Sequence, residues 1–413
     1  MPDRPSITQG MRQKYQALQS LLGENSRLLE IMADLEADLR FLPLGSASLE
    51  HQIRSLLEGT LLMIEDLNQI SDGRFQSLYG TYVKIENRIL EQLNGSQGSA
   101  MDALVIPLSE IGLALEKSAG GKAAHLGEIK KNLTQAVPEG FAVTTSAYQS
   151  WISDPMIASE IRLLLDTLEV SSDQERFREK TQRIREIFET AALPPSIRDS
   201  ILTYAQTRFP SIRSWVVRSS AVGEDSSLTF AGQFASFLNV PTEDLPRMYQ
   251  KVVASRFNDR AVSYRLSGGV TEVETPMAVL FLPLIPARSA GVLYTNDPGD
   301  PAREEILVSG TWGLAGDLVG GKAPADLFRL DRRDLKLKES LLAFKPDRLA
   351  PTTPGNLGRL PNNGELQKAP ALNEEELKLL VDLALTIEKQ SGTPQDIEWA
   401  IDPNGKVWIL QAR

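Results

Sequence analysis

The sequence predicts an α+β protein, a domain of mixed sheet and helix preceded by an all-helical module. Three observations carry that expectation. Three long stretches before residue 94 place apolar residues at helical spacing, short β-rich runs alternate with helical ones from Val105 onward, and a Gly- and Ser-rich segment separates the two patterns. The helical stretches run from Met11 to about Leu39, Leu49 to about Ile70, and Phe75 to Leu93. In the second, Leu49, Ile53, Leu56, Leu57, Leu61, Ile64 and Leu67 recur at spacings of three and four and so share one face. Breaks at Pro43-Leu44-Gly45-Ser46 and Ser71-Asp72-Gly73 are short, which favours an antiparallel bundle serving as a spacer or dimerisation module. Asn94-Gly95-Ser96-Gln97-Gly98-Ser99 reads as a flexible linker. Beyond it, Phe141-Ala142-Val143-Thr144, Trp215-Val216-Val217, Met277 to Ile285 and Glu305 to Val308 read as strands. Pro155 to Phe209 reads as a charged helical insertion, and Phe344 to Pro370, rich in Pro, Gly and Asn, as a long exposed loop.

Composition narrows the functional classes. With 413 residues, 42% of them hydrophobic, the chain can bury a sizeable core and is expected to form two or three domains. No apolar run approaches the roughly 20 residues of a membrane span. Met1-Pro2-Asp3-Arg4-Pro5 lacks the basic and apolar blocks of a secretory signal, so no membrane or export role is expected. The absence of cysteine excludes disulfides, a thiol nucleophile and zinc-thiolate sites, and fits a cytoplasmic location. A net charge of -10 disfavours nucleic acid as a partner while leaving room for a local basic pocket.

Three segments could do chemistry. Val217-Arg218-Ser219-Ser220-Ala221-Val222-Gly223-Glu224-Asp225, running on to Phe230-Ala231-Gly232-Gln233, joins an apolar run to a small-residue loop holding a fixed cation. Small residues let backbone N–H groups approach an anion and Arg218 can grip two of its oxygens, although a surface ion pair uses the same pattern. Gly120-Gly121-Lys122-Ala123-Ala124 feeds a helix carrying Lys122 near its positive end, which suits a phosphate and equally suits a plain turn. The Gly-x4-Gly-Lys-Ser/Thr spacing of a phosphate loop is absent.

The third segment is the C-terminal hairpin. Asp396-Ile397-Glu398-Trp399-Ala400-Ile401 alternates with period two, and Asp402-Pro403-Asn404-Gly405 turns it into Val407 to Arg413. A loop of two or four residues would set Asp396 opposite Gln411 and turn Asp396, Glu398, Gln411 and Arg413 to one face, whereas an odd loop would flip the register. Two adjacent carboxylates invite a cation such as Mg2+ shared with phosphates, the alternative being an exposed polar face on an edge hairpin. His51 and His125 have the spacing of neither a triad nor a zinc site and read as polar surface residues.

Taken in order, these segments resemble the nucleotide-binding half of the phosphoenolpyruvate synthase and pyruvate phosphate dikinase family. The resemblance rests on Gly120 to Glu128, Val137-Pro138-Glu139-Gly140-Phe141, Val217 to Val240, Phe257-Asn258-Asp259-Arg260-Ala261, Gly291-Val292-Leu293-Tyr294-Thr295, Trp312-Gly313-Leu314 and Pro394 to Arg413. It implies an ATP-grasp fold of two subdomains over residues 101–413, with a helical insertion at about 155–210, and leaves residues 1–100 as helical bundle and linker. It further implies that Mg-ATP is bound and that phosphate passes to a histidine on a separate swivelling domain, which serves pyruvate in a third domain. Lys122 and Arg218 would hold phosphates, Ala231-Gly232-Gln233 would belong to the loop closing over them, Asp396 and Glu398 would support the metal, and Gln411 and Arg413 would meet the phosphates. The chain departs from the family where Trp-Gly-Leu-Gly-Glu is replaced by Trp312-Gly313-Leu314-Ala315-Gly316-Asp317 and where a frequent Gln is Leu282. Nothing resembling the histidine or pyruvate domain is expected before Arg413, so this chain alone should not complete a pyruvate, water dikinase cycle. An antibiotic phosphotransferase of the same architecture, or a non-catalytic ATP sensor and scaffold, would use the same residues.

Overall fold

A computed structural model describes residues 4–41, 46–94, 103–154, 157, 160–161, 164, 174–222, 234–267, 276–319 and 323–413. The chain divides into two compact units, Met1–Met101 with Ser263–Thr275, and Asp102–Val262 with Pro276–Arg413.

The first unit holds α1 (Arg4–Phe41), α2 (Ser46–Ile70) and α3 (Ser77–Asn94). Ala17 and Leu28 of α1 are buried. Gly59 of α2 lets the backbones close in, since a Cβ there would lie 2.7 Å from the Leu28 side chain. The Ser71 break forms as a turn in which Asp72 and Gly73 take positive φ (55° and 81°). The buried Asn68 side chain donates to the Ile64 carbonyl and accepts from the Phe75 N–H, tying α2 to the turn. Pro43 to Gly45 of the first break and Gly95 to Ser99 of the expected linker lie outside the described residues, whereas Ser46 opens α2 and Asn94 closes α3.

In the second unit, one sheet has the order β1-β2-β5-β3-β4 (Val105–Pro107, Phe141–Val143, Met277–Pro283, Ser214–Ala221, Ser236–Pro241). The other runs β13-β12-β6-β7-β8-β9 (Val407–Ala412, Asp396–Ile401, Ser289–Tyr294, Glu305–Trp312, Asp326–Asp331, Leu337–Leu341). Every described strand pair in these sheets is antiparallel. Alternation along β3 and β5 sorts residues between two cores. Trp215, Val217, Val279 and Phe281 pack beneath α5 (Thr145–Ile152), α6 (Gln174–Thr190), α7 (Pro195–Arg208) and α8 (Leu245–Ser255). Leu280 and Leu282 belong to the core shared with the second sheet, with α4 (Gly121–Asn132) and with Leu380, Ala384 and Ile387 of the helix Glu374–Ser391. Stacking of Phe141 on Phe281, at 4.8 Å between ring centres, and the edge of Trp215 at 5.6 Å from Phe141 rigidify the helical side.

The second sheet is built around Trp399, fully buried. Its indole lies against Gly291 of β6 and Gly310 of β7, where a Cβ would come 2.7 Å and 3.0 Å from the ring.

The long loop expected over Phe344 to Pro370 is instead interrupted by a third, two-stranded element, β10 (Asp347–Thr353) with β11 (Asn356–Pro361). Proline disfavours central strands, but a two-stranded ribbon has outer edges on both sides, and Pro351 sits at a bulge.

Candidate active site

The site lies where the facing sheets of the second unit meet. Arg218, expected in a loop, instead belongs to β3, which runs through Ala221. That correction matters chemically, because a strand fixes the guanidinium more firmly than a loop. Arg218 Nη1 and Nη2 donate to the two carboxylate oxygens of Glu398 at 2.9 and 3.1 Å, and Nη2 also donates to Gln411 Oε1 at 2.6 Å. With side-chain exposures of 14% and 22%, the pair is largely removed from water. Burial alone would push the Glu398 carboxyl up. Arg218, with Lys122 and Arg413 behind it, outweighs that and holds it below its ordinary value.

Lys122 enters from the first turn of α4. Gly120 precedes it at φ 77°, and a Cβ there would collide with the Ser220 carbonyl oxygen, so only glycine permits this approach. Ser220 Oγ accepts from the Ala123 N–H at 3.0 Å and donates to the Ala119 carbonyl at 2.8 Å. One helix-end N–H expected to face an anion is thus already bonded to β3. Lys122 Nζ donates to Ser219 Oγ at 3.2 Å, which points the lysine along the same strand.

The C-terminal hairpin reaches the expected face by a different register. Glu398, not Asp396, lies opposite Gln411, while Asp396 and Arg413 exchange backbone hydrogen bonds at 2.8 and 3.1 Å. Ile401 pairs with Val407, so the loop is Asp402 to Lys406, five residues, and an odd loop alone would turn Gln411 into the core. A bulge at Leu410 restores the parity, because Trp399 faces Ile409 while Glu398 faces Gln411. Leu410 itself is left on the cavity wall. Arg413 Nε and Nη2 donate to Asp396 Oδ2 at 3.0 and 2.9 Å.

These elements enclose a cavity of about 480 Å3. Lys122, Arg218, Glu398, Gln411 and Arg413 line its polar part; Asp396 stands one position outward, beside Arg413. Val216, Leu282, Leu284, Ile285, Ala400 and Leu410 are among the residues of its apolar part, and of these the sequence reading singled out Leu282 alone. The period-two alternation of β3 and β12 held the signal for Val216 and Ala400, which share faces with Arg218 and Glu398. Leu314, Ala315 and Gly316 close one wall; the Asp317 side chain and Ala231, Gly232 and Gln233 lie outside the described residues. His125 is partly buried in α4 and does not line the cavity. Among the described residues no group of three or more acidic or histidine side chains could hold a metal by itself, and no helix is long and apolar enough to cross a membrane.

The chain is 33% identical over 348 residues to a phosphoenolpyruvate synthase of Aeropyrum pernix, a match covering 75% of this chain and 42% of that one. It is 31% identical over 317 residues to a rifampicin phosphotransferase of Bacillus subtilis, covering 76% and 36%. It therefore spans well under half the length of these curated relatives. Among solved structures, D-alanyl-alanine synthetase A from Vibrio cholerae aligns over 57% of this chain and 53% of that one at 11% identity, and its TM-score of 0.25 is too low to define a shared fold. The sequence profile of the pyruvate phosphate dikinase AMP/ATP-binding domain matches residues 116–413, the stretch that contains every residue lining the cavity, and the chain belongs to that family.

Proposed function

We propose that the second unit is an ATP-grasp clamp that holds Mg-ATP between its two sheets and passes a phosphoryl group to a histidine on a separate carrier domain, as the nucleotide-binding part of a phosphoenolpyruvate synthase-like enzyme. One observation carries this reading: a single cavity of about 480 Å3 divided into a cationic part and an apolar part. ATP is divided in the same way, and the volume falls within the usual range of roughly 300–1,000 Å3 for small-molecule sites. Lys122, Arg218 and Arg413 receive phosphate oxygens, Gln411 adds a hydrogen bond, and Val216, Leu282 and Ala400 border the base. Ala231, Gly232 and Gln233, outside the described residues, are assigned to the triphosphate by the family resemblance alone.

Asp396 and Glu398 fit Mg2+, since they present hard oxygen donors from one strand face to an ion that takes one or two carboxylates and fills its shell with phosphate and water. Bound there, the ion neutralises charge on the phosphate oxygens. With nucleotide bound, Arg218 would exchange the Glu398 carboxylate for phosphate, and Glu398 would then be one of the residues to hold the ion. Transfer then depends on positioning and charge, the two things these residues supply. Consumption of ATP by a cysteine-free chain fits the cytoplasm.

The test is to supply Mg-ATP labelled at the β-phosphate together with the histidine-bearing domain of a relative. AMP, a histidine carrying the labelled β-phosphate and inorganic phosphate from the γ-position, its phosphoryl group taken up by water, should form, and Lys122→Ala or Arg218→Ala should abolish all three. ATP bound and returned intact would favour a non-catalytic sensor instead. An antibiotic as final acceptor is the second reading, favoured by the relatives named rifampicin phosphotransferase.

A further inference from the structure

We infer that the helical unit pairs with a second copy of this chain, the outer seam of α1 in each copy seating in the α2–α3 groove of the other. The seam is Tyr15, Leu18, Leu22, Asn25, Leu29 and Met32, spaced alternately by three and four residues over more than two heptads. Its five apolar members are 42% to 61% exposed. The neighbouring stripe, one residue earlier in the heptad at each position, is buried at Ala17 and Leu28 and half-buried at Lys14, Leu21, Glu24 and Ile31. One residue is about 100° of helix rotation. α1 is therefore patterned for two neighbours roughly at right angles, as each helix of a four-helix arrangement is, and Gly59 of α2 lies against the buried stripe.

The complementary surface is a groove of about 500 Å3 between α2 and α3, lined by residues including Ile53, Leu57, Ile64, Leu78, Tyr82 and Ile85. Area argues for a second copy. The seam exposes on the order of 500 Å2 of apolar surface, at the upper end of what a monomer usually leaves in one patch. Two seams seated in two grooves would remove on the order of 2,000 Å2, enough for a stable dimer. Reciprocal seating closes under two-fold symmetry, so it stops at two copies. Asn25, polar and exposed at mid-seam, fixes the register, as a polar residue at a core position does in coiled coils.

Sedimentation velocity on the full chain at tens of micromolar should show twice the monomer mass. Leu22→Glu with Leu29→Glu should weaken the dimer by roughly 100-fold or more, and so should Ile85→Glu, all three being exposed positions whose change leaves helicity by circular dichroism intact. Mixing the seam variant with the groove variant should return a heterodimer, because one seam and its facing groove remain whole. A monomeric wild type, a dimer indifferent to the seam pair, or a dimer indifferent to Ile85→Glu would each overturn the inference. None of these outcomes bears on nucleotide binding.

Discussion

Arg218 and Glu398 neutralise each other across two sheets, so each is also the other's main reason for being tolerable in a partly closed cavity. Arg218→Ala leaves the carboxylate without its principal cation, and a loss of about 2 kcal/mol in stability is expected on top of the loss of phosphate binding, after allowance for the remaining solvent exposure. Denaturant unfolding of the variant at neutral pH measures it. Glu398→Gln keeps the shape and drops the charge, so Arg218 becomes more available to anions. Metal-free pyrophosphate should then bind more tightly than to the wild type, while Mg-dependent ATP binding falls. The same carboxyl gives a pH signature. Its value is lowered on folding, so its contribution is fully present above the ordinary glutamate range and is lost as pH falls through the lowered value, which lies beneath that range. Between neutral pH and that lowered value the wild type should therefore lose more stability than Glu398→Gln, a difference visible in paired thermal melts.

At the scale of elements, the β10–β11 hairpin is the part that composition misrepresented and function uses. At one end the Leu314 N–H donates to the Leu349 carbonyl at 2.9 Å, beside the cavity wall. At the other end Asn239 of β4 donates through Nδ2 to the Thr353 and Asn356 carbonyls at 2.8 and 2.6 Å, and its own carbonyl accepts from the Gly355 N–H. The hairpin thus ties one sheet to the other across the cavity. Asn239 has φ 57°, a conformation glycine adopts without strain, so Asn239→Gly removes only side-chain hydrogen bonds: the one its Oδ1 accepts from Ser214 Oγ within its own sheet, and the two to the hairpin. Two such bonds are worth about 2 kcal/mol, and amide exchange near residues 353–356 should accelerate roughly 30-fold. An unchanged exchange rate would mean that the hairpin is held by other contacts. Its base rests on a fully buried pair in which Lys345 donates to Asp326, whose carboxylate also accepts from the Ala343 and Ala371 N–H groups at 2.8 and 2.7 Å. Lys345→Met strands that carboxylate and should cost about 3–5 kcal/mol in chemical denaturation.

Across the whole molecule, legibility in the sequence followed the range of the interactions involved. Helical periodicity and strand alternation are local, and they located α2, β3, β5 and β12 to within a few residues. The face shared by Glu398, Gln411 and Arg413 was also readable, yet the five-residue loop and the bulge at Leu410 were not, because two opposite errors of register cancel. The hairpin at Asp347 was hidden because its pairing is anchored from far away, by Asn239 and Asp326, which no local pattern records. Much of the apolar end of the cavity was hidden for the same reason: Leu238, Ile285 and Leu410 come from three distant stretches that only the fold brings together. Family membership covers residues 116–413 and says nothing about the helical unit, whose seam and groove stand on their own pattern.

The most direct measurement is calorimetric titration of ATP into the full chain, with and without Mg2+, repeated on the variant carrying Asp396→Asn and Glu398→Gln. Binding that requires Mg2+ in the wild type and disappears in the variant is the predicted result. Absence of binding in the wild type, or equal metal-dependent binding by the variant, would contradict the assignment of this cavity as a metal-nucleotide clamp.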